Sequence, residues 1–158
     1  MKKLILILIV FSISLLNAQD VERYLELLRS DVKTQKVAVI TEAMKFNDAE
    51  SEKFWPLYRE YDLKMTEIND KILRMIKEFA DNYQTMVDKR AKALINTSFD
   101  LFEDKTKLRK KYFKKFDKML GSTKAARFIQ VDRQLDQLIT LQISTELPLI
   151  RKSSDTIK

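Results

Sequence analysis

The chain has no cysteine and no histidine, one glycine and two prolines. Without cysteine there is no disulfide, no thiol nucleophile, no thiolate metal site and no lipid-anchored thiol. Without histidine the usual general base near neutral pH is missing, as is the commonest metal ligand. Strand-rich folds need turn residues every ten positions or so, and this chain hardly has them. What it does have is charge, at 34% of residues, and apolar side chains, at 45%, spread over 158 residues. That length is enough for one domain with a real core, and the composition leaves long helices as the way to build it. The formal net charge is +7.

The first eighteen residues read as an address. Lys2 and Lys3 precede an apolar run from Leu4 to Leu16 broken only by Ser12 and Ser14, and Leu16-Asn17-Ala18 offers a small residue at a cut site. This is the pattern of a secretory signal peptide, and the run is short for a membrane-spanning helix. The expectation is cleavage after Ala18 and a periplasmic or secreted product. Residues 19–150 then form a single helical domain and residues 151–158 a tail with nothing to bury.

The strongest periodic stretch runs from Phe54 to Phe79. Phe54, Tyr58, Tyr61, Met65, Ile68, Ile72, Met75 and Phe79 alternate steps of four and three, a heptad seam along one side of a helix. Glu60 and Lys64, Glu67 and Lys71, and Asp70 and Arg74 are acid-first pairs four apart on its outer face. A start is predicted at Phe46-Asn47-Asp48-Ala49-Glu50, with Asn47 as N-cap and Glu50 completing a capping box. Pro56 would remove one backbone bond. It predicts either a bend at Trp55-Pro56, which is favoured, or a short turn before the helix proper.

A first helix is predicted from Asp20 to about Met44 on Val21, Leu25, Leu28, Val32, Val39 and Ala43, with a weaker middle. A turn at Gln84 to Val87 leads to a third helix capped by Asp88, running to Leu120 and stopped by Gly121 as a left-handed residue. Its predicted seam is Ile95, Phe99, Phe102, Phe113, Phe116 and Leu120. Ser122 or Thr123 would cap a fourth helix with a stripe of Ala125, Phe128, Ile129, Leu135, Leu138, Ile139, Ile143 and Leu147, ended by Pro148. The fold predicted is all-α, an elongated four-helix arrangement built on a long antiparallel hairpin, with a curved cradle as one form of it.

Chemistry is scarce in the pattern. There is no Gly-rich phosphate loop, no serine elbow and no zinc-ligand spacing. Asp100, Glu103 and Asp104 share a patch, as do Asp48 and Glu52, but helix-start and ion-pair duty account for both. The chain therefore reads as a non-enzyme, with no catalytic residue, cofactor or metal predicted. In the third helix Thr106 and Arg109 interrupt the seam, and Lys105, Lys107, Lys110, Lys111, Lys114, Lys115 and Lys118 surround the gap, followed by Lys124 and Arg127. Such a face either stays solvated, its stems covering apolar surface, or attracts acidic and unfolded polypeptides or anionic membranes. The residues singled out for client binding are Arg109, Lys110, Phe113, Lys114 and Arg127. For an exported chain no nucleic-acid partner is predicted.

These features together resemble the Spy/CpxP-like periplasmic proteins, whose signature is Leu-Thr-x-x-Gln occurring twice. Phe46-Asn47-Asp48-Ala49-Glu50 is similar to the first copy, with Phe46, Asn47 and Glu50 at its defining positions. Leu120 to Lys124 stands where the second would fall, interrupted by Gly121 and Ser122. The segments FWPLYREY and AARFIQVDRQLD also resemble exported helical proteins of Bacteroidetes-type bacteria described as sensors for extracytoplasmic sigma factors. The resemblance implies a thin helical cradle, usually dimeric, acting as an ATP-independent chaperone or envelope-stress protein on unfolded or envelope polypeptides. The rival expectations are a signalling module that binds one folded envelope partner and a peripheral binder of anionic membranes. A homodimer is predicted because Leu57, Leu73, Ile76, Leu94, Leu101 and Leu108 exceed what one hairpin can bury.

Overall fold

The computed structural model describes residues 35–145 and Leu147. Among them every regular element is helical: α1 (35–44), α2 (Asp48–Asn82), a single 3₁₀ turn (Tyr83–Thr85), α3 (Asp88–Leu120) and α4 (Ser122–Thr145). Residues 20–34 of the expected first helix, the expected leader and the tail lie outside the described residues, as does Pro148.

α2 begins where its sequence says it should. The Asn47 side chain accepts from the Glu50 backbone N–H at 2.9 Å, and the Asn47 N–H donates to the Glu50 carboxylate at 3.2 Å. That reciprocal pair is a complete capping box. The helix then runs 35 residues, about 52 Å, as one element through the exposed Pro56. The expected turn after it sits slightly earlier, at Tyr83–Thr85, and Val87 rather than Asp88 is the N-cap of α3. Asp88 is the first helical residue, where its charge meets the helix dipole.

α3 ends at Leu120, and Gly121 has φ 80° and ψ 155°. The positive φ was expected; the ψ places it outside the left-handed helical well, in a region open mainly to glycine. The reason is that no loop follows. Gly121 N–H bonds the Asp117 carbonyl at 2.9 Å, ending α3, while its own carbonyl accepts from Ala125 N–H at 3.0 Å, starting α4. One residue thus closes one helix and opens the next. Ser122, expected as a cap, is instead the first residue of α4 and donates its hydroxyl to Asp117 at 2.6 Å.

α2 and α3 form the antiparallel hairpin, and α4 folds back along α3. The core is concentrated at the open end, away from the hairpin turn. There α1 and α4 join the first half of α2 and the second half of α3. Ile40, Phe54, Tyr61, Tyr112, Phe116 and Phe128 are the largest fully buried side chains. Phe54 is the hub: its ring lies 4.4 Å from Phe46, 5.4 Å from Phe116 and 5.1 Å from Phe128 between centroids. Tilted and edge-on aromatic pairs of this kind add about 0.5–1.5 kcal/mol each beyond the area they bury.

The heptad seam of α2 is buried only in its first half. Phe54, Tyr58, Tyr61 and Met65 are enclosed, while Ile68, Ile72, Met75 and Phe79 are half-buried. On α3 the seam differs from the expected one. The buried line is Leu94, Leu101, Lys105, Tyr112 and Phe116. Ile95, Phe99 and Phe102 are 49%, 66% and 48% exposed, and Leu138 on α4 is 64% exposed. α3 carries apolar residues on two adjoining faces; α2 covers the leucine face, and near the hairpin turn nothing among the described residues covers the other.

Candidate functional site

Two surface features stand beside each other on this frame. The first is an apolar groove of about 260 Å³ between the distal half of the hairpin and the last turns of α4. Met65, Ile72, Leu73 and Ile76 of α2 form one wall, Phe102 of α3 another, and Ile139 and Ile143 of α4 the third. It exists because the helices that fill the core at the open end leave the half-buried portion of the α2 seam uncovered here. Beside the groove, Ile95 and Phe99 share with Phe102 a stripe at steps of four and three on α3.

The floor of the groove is polar. Lys105 donates to Asp136; Arg109 donates through Nε to Asp132 at 3.0 Å and through Nη2 to Asp136 at 2.8 Å. Tyr61 adds its hydroxyl to Asp132 at 2.7 Å. Both acids are four apart on α4 and both cations four apart on α3, so two one-turn pairs of opposite charge close on each other across the interface. Burial would by itself raise Asp136, but Lys105 and Arg109 outweigh it and hold its carboxyl below the usual range. Burial also works against the Arg109 charge, and the bonds to Asp136 and Asp132 more than restore it. For Lys105 burial wins, and its ammonium is held below the ordinary lysine value despite Asp136. Among the described residues no buried side-chain polar atom lacks a hydrogen-bond partner.

The second feature is a basic ridge on the solvent side of α3. Lys110, Lys111, Lys114 and Lys118 are exposed there and form no ion pair among the described residues. The other cations of this region are engaged. Lys107 pairs with Glu103 at 3.0 Å, Lys115 with Glu60 at 3.2 Å, and Lys124 with Glu50. Lys115 also stands 4.6 Å over the Tyr112 ring, whose hydroxyl donates to Glu60 at 2.6 Å.

The residues singled out from the sequence therefore part company. Lys110 and Lys114 lie on the exposed ridge, and Phe113 is half-buried against the core. Arg109 is turned inward, its side chain 15% exposed, and belongs to the floor of the groove. Arg127 donates through Nε to the Ala43 carbonyl at 2.9 Å, tying α4 to the end of α1. Phe46, Asn47 and Glu50 build the start of α2. The two motif-like segments meet there, because their fifth residues, Glu50 and Lys124, are the ion pair. The sequence reading placed Lys105 among the lysines around the seam gap without foreseeing its inward pairing, and it missed Asp132 and Asp136; the matched four-residue spacing of acids on one helix and cations on another was the signal for them. No described helix is long and apolar enough to cross a membrane. Comparison with protein-family models, with curated proteins and with solved structures found no match to this chain.

Proposed function

We propose that this protein is an exported, ATP-independent chaperone-like or envelope-stress protein that binds unfolded or partner polypeptides through α3. The observation that carries the reading is the uncovered stripe Ile95–Phe99–Phe102 on the same helix as the ridge Lys110, Lys111, Lys114 and Lys118. Apolar side chains left in water at this density mark an interaction surface. Long-range charge attraction draws acidic or unfolded chains to it, and the stripe holds exposed apolar segments once they arrive. A homodimer fits the same surface, though on other residues than the expected leucine surplus: Leu94 and Leu101 are buried and Leu57 and Leu108 pack on the core within one chain, and Ile95, Phe99 and Phe102 are what a second copy would cover.

The test is suppression of client aggregation by the chain from Gln19 to Lys158 without ATP, at low and high salt. Suppression near equimolar protein, weakened by salt because screening shortens the attraction, is the expected result. Phe99→Ser with Phe102→Ser should weaken holding at both salt levels, whereas Lys110→Glu with Lys114→Glu should matter mainly at low salt. Absence of suppression at equimolar protein overturns the proposal. Saturable binding of one folded envelope protein with indifference to unfolded chains would instead assign the chain to the sigma-factor sensor reading.

A further inference from the structure

The apolar groove, Phe102 apart, takes no part in the surface assigned to polypeptides, and its lining selects a different kind of occupant. Met65, Ile72, Met75 and Ile76 of α2 and Ile139 and Ile143 of α4 line it with hydrocarbon and thioether only. Of the hydroxyls on the α4 wall, Thr140 donates to the Asp136 carbonyl and Ser144 to that of Leu141, so both are spent within their own helix. A polypeptide backbone, which needs a partner for every buried N–H and C=O, finds few here; an unbranched hydrocarbon chain needs none. The thioethers of Met65 and Met75 adapt readily to such a chain. The wall from Met65 to Ile76 is about 16 Å of helix, a seat for a tail of medium length.

The end of the groove nearer the core is charged, and one cation there is short of partners. Lys105 lines it, is 3% exposed, and among the described residues bonds only Asp136. An ammonium has three N–H donors, so two of them are unused. The acids nearby are committed elsewhere. Asp132 accepts from Arg109 and Tyr61, and Asp136 gives its second oxygen to Arg109. Burial accordingly holds the Lys105 ammonium below the ordinary lysine value, as it does for a cation with too little negative charge beside it. We propose that the groove binds a medium-chain fatty acid, its carboxylate on Lys105 at the core end and its tail laid along α2 towards the hairpin turn. The ligand supplies the acceptor that the fold withholds from Lys105, and its tail covers the part of the α2 seam that the core leaves half-buried.

The test is calorimetric titration of the chain from Gln19 to Lys158 with octanoate, decanoate and dodecanoate near neutral pH, each below its micelle concentration. The expected result is saturable binding of one molecule per chain, tightening about fourfold with each added methylene as hydrocarbon leaves water. Decanol, with the same tail and no charge, should bind more weakly than decanoate. Lys105→Met should weaken decanoate about tenfold or more, the worth of a hydrogen bond between charged groups, and leave decanol unchanged. Ile76→Gln, at the far end of the groove, should weaken both ligands alike. Circular dichroism checks that both variants keep the parent helix content. No saturable binding, an affinity that is flat with chain length, or an equal effect of Lys105→Met on acid and alcohol overturns the proposal. The titration needs no client, so the aggregation assay can fail while the fatty-acid site stands, and the reverse.

Discussion

Asp132 is almost fully buried and holds both Tyr61 and Arg109. Removing it leaves a buried guanidinium half-answered and a buried phenol without its acceptor. Asp132→Ala should therefore cost about 3–5 kcal/mol, read as a fall in the thermal midpoint of roughly 10 °C for a chain of this size. Lys105 is the contrasting case. Its burial already works against its charge, and Arg109 reaches Asp136 without it. Lys105→Met keeps the stem and removes the desolvated charge, so stability should stay within about 1 kcal/mol of the parent or rise. Equal losses from both substitutions in denaturant titrations would contradict this account of the network. Arg109 itself shows where reading the chain alone runs out. Its place as a polar interruption of the α3 seam was visible, and so were the surrounding lysines. Which helix it faced was not, because the acids that receive it are 23 and 27 positions away on another element. Spacing within a helix tells which residues share a face, and says nothing of what that face meets.

At the level of elements the boundaries were the legible part. Asn47 and Glu50 announced the start of α2, and the one glycine marked the end of α3, because capping is local chemistry that neighbours in sequence can specify. The register of α3 was not legible, since Ile95, Phe99, Phe102 and Leu94, Leu101, Leu108 are two equally periodic lines on adjoining faces. α2 takes the leucine line, and α4 bonds α3 only from Lys105 onward, leaving Ile95 and Phe99 exposed. The glycine offers a direct test of how the α3–α4 junction is held. A Cβ at Gly121 would meet nothing within 4 Å, so substitution there probes backbone conformation alone. With φ at 80°, Gly121→Ala should cost about 1–3 kcal/mol, and the melt should stay a single cooperative transition. A neutral result in the thermal melt would mean that α3 and α4 can join through an ordinary backbone geometry.

The molecule as a whole has no side chain whose ordinary pKa falls between about 5 and 9, since histidine and cysteine are both missing. Its stability should be nearly flat across that interval and fall on either side for different reasons. In acid, three carboxylates decide. Glu50 is held low by its bond from Lys124 and the Asn47 N–H, Glu60 by Tyr112 and Lys115, and Asp136 by Lys105 and Arg109 against its own burial. A carboxyl whose folded value is depressed contributes stability that is present above its unfolded value, near 4, and lost as pH falls through the folded one. Protonation of the remaining acids meanwhile leaves a chain of 30 lysines and arginines repelling one another. In alkali the tyrosines decide. Burial, with Glu60 beside it, pushes Tyr112 up to about 12, and burial with Asp132 pushes Tyr61 up further still. A phenol with a raised folded value gives stability that is complete below about 10 and lost as pH climbs through the folded value. Lys105 works in the opposite sense there, because the cost of burying its charge is relieved as it deprotonates. Urea midpoints measured from pH 3 to 11 should trace a plateau with a steep acid shoulder below about 4 and a shallower alkaline one above about 10. Asp136→Asn, which removes the carboxylate gripped by both Lys105 and Arg109, should flatten the acid shoulder while lowering the plateau; an unchanged shoulder would place the acid sensitivity in the surface charges instead of the floor of the groove.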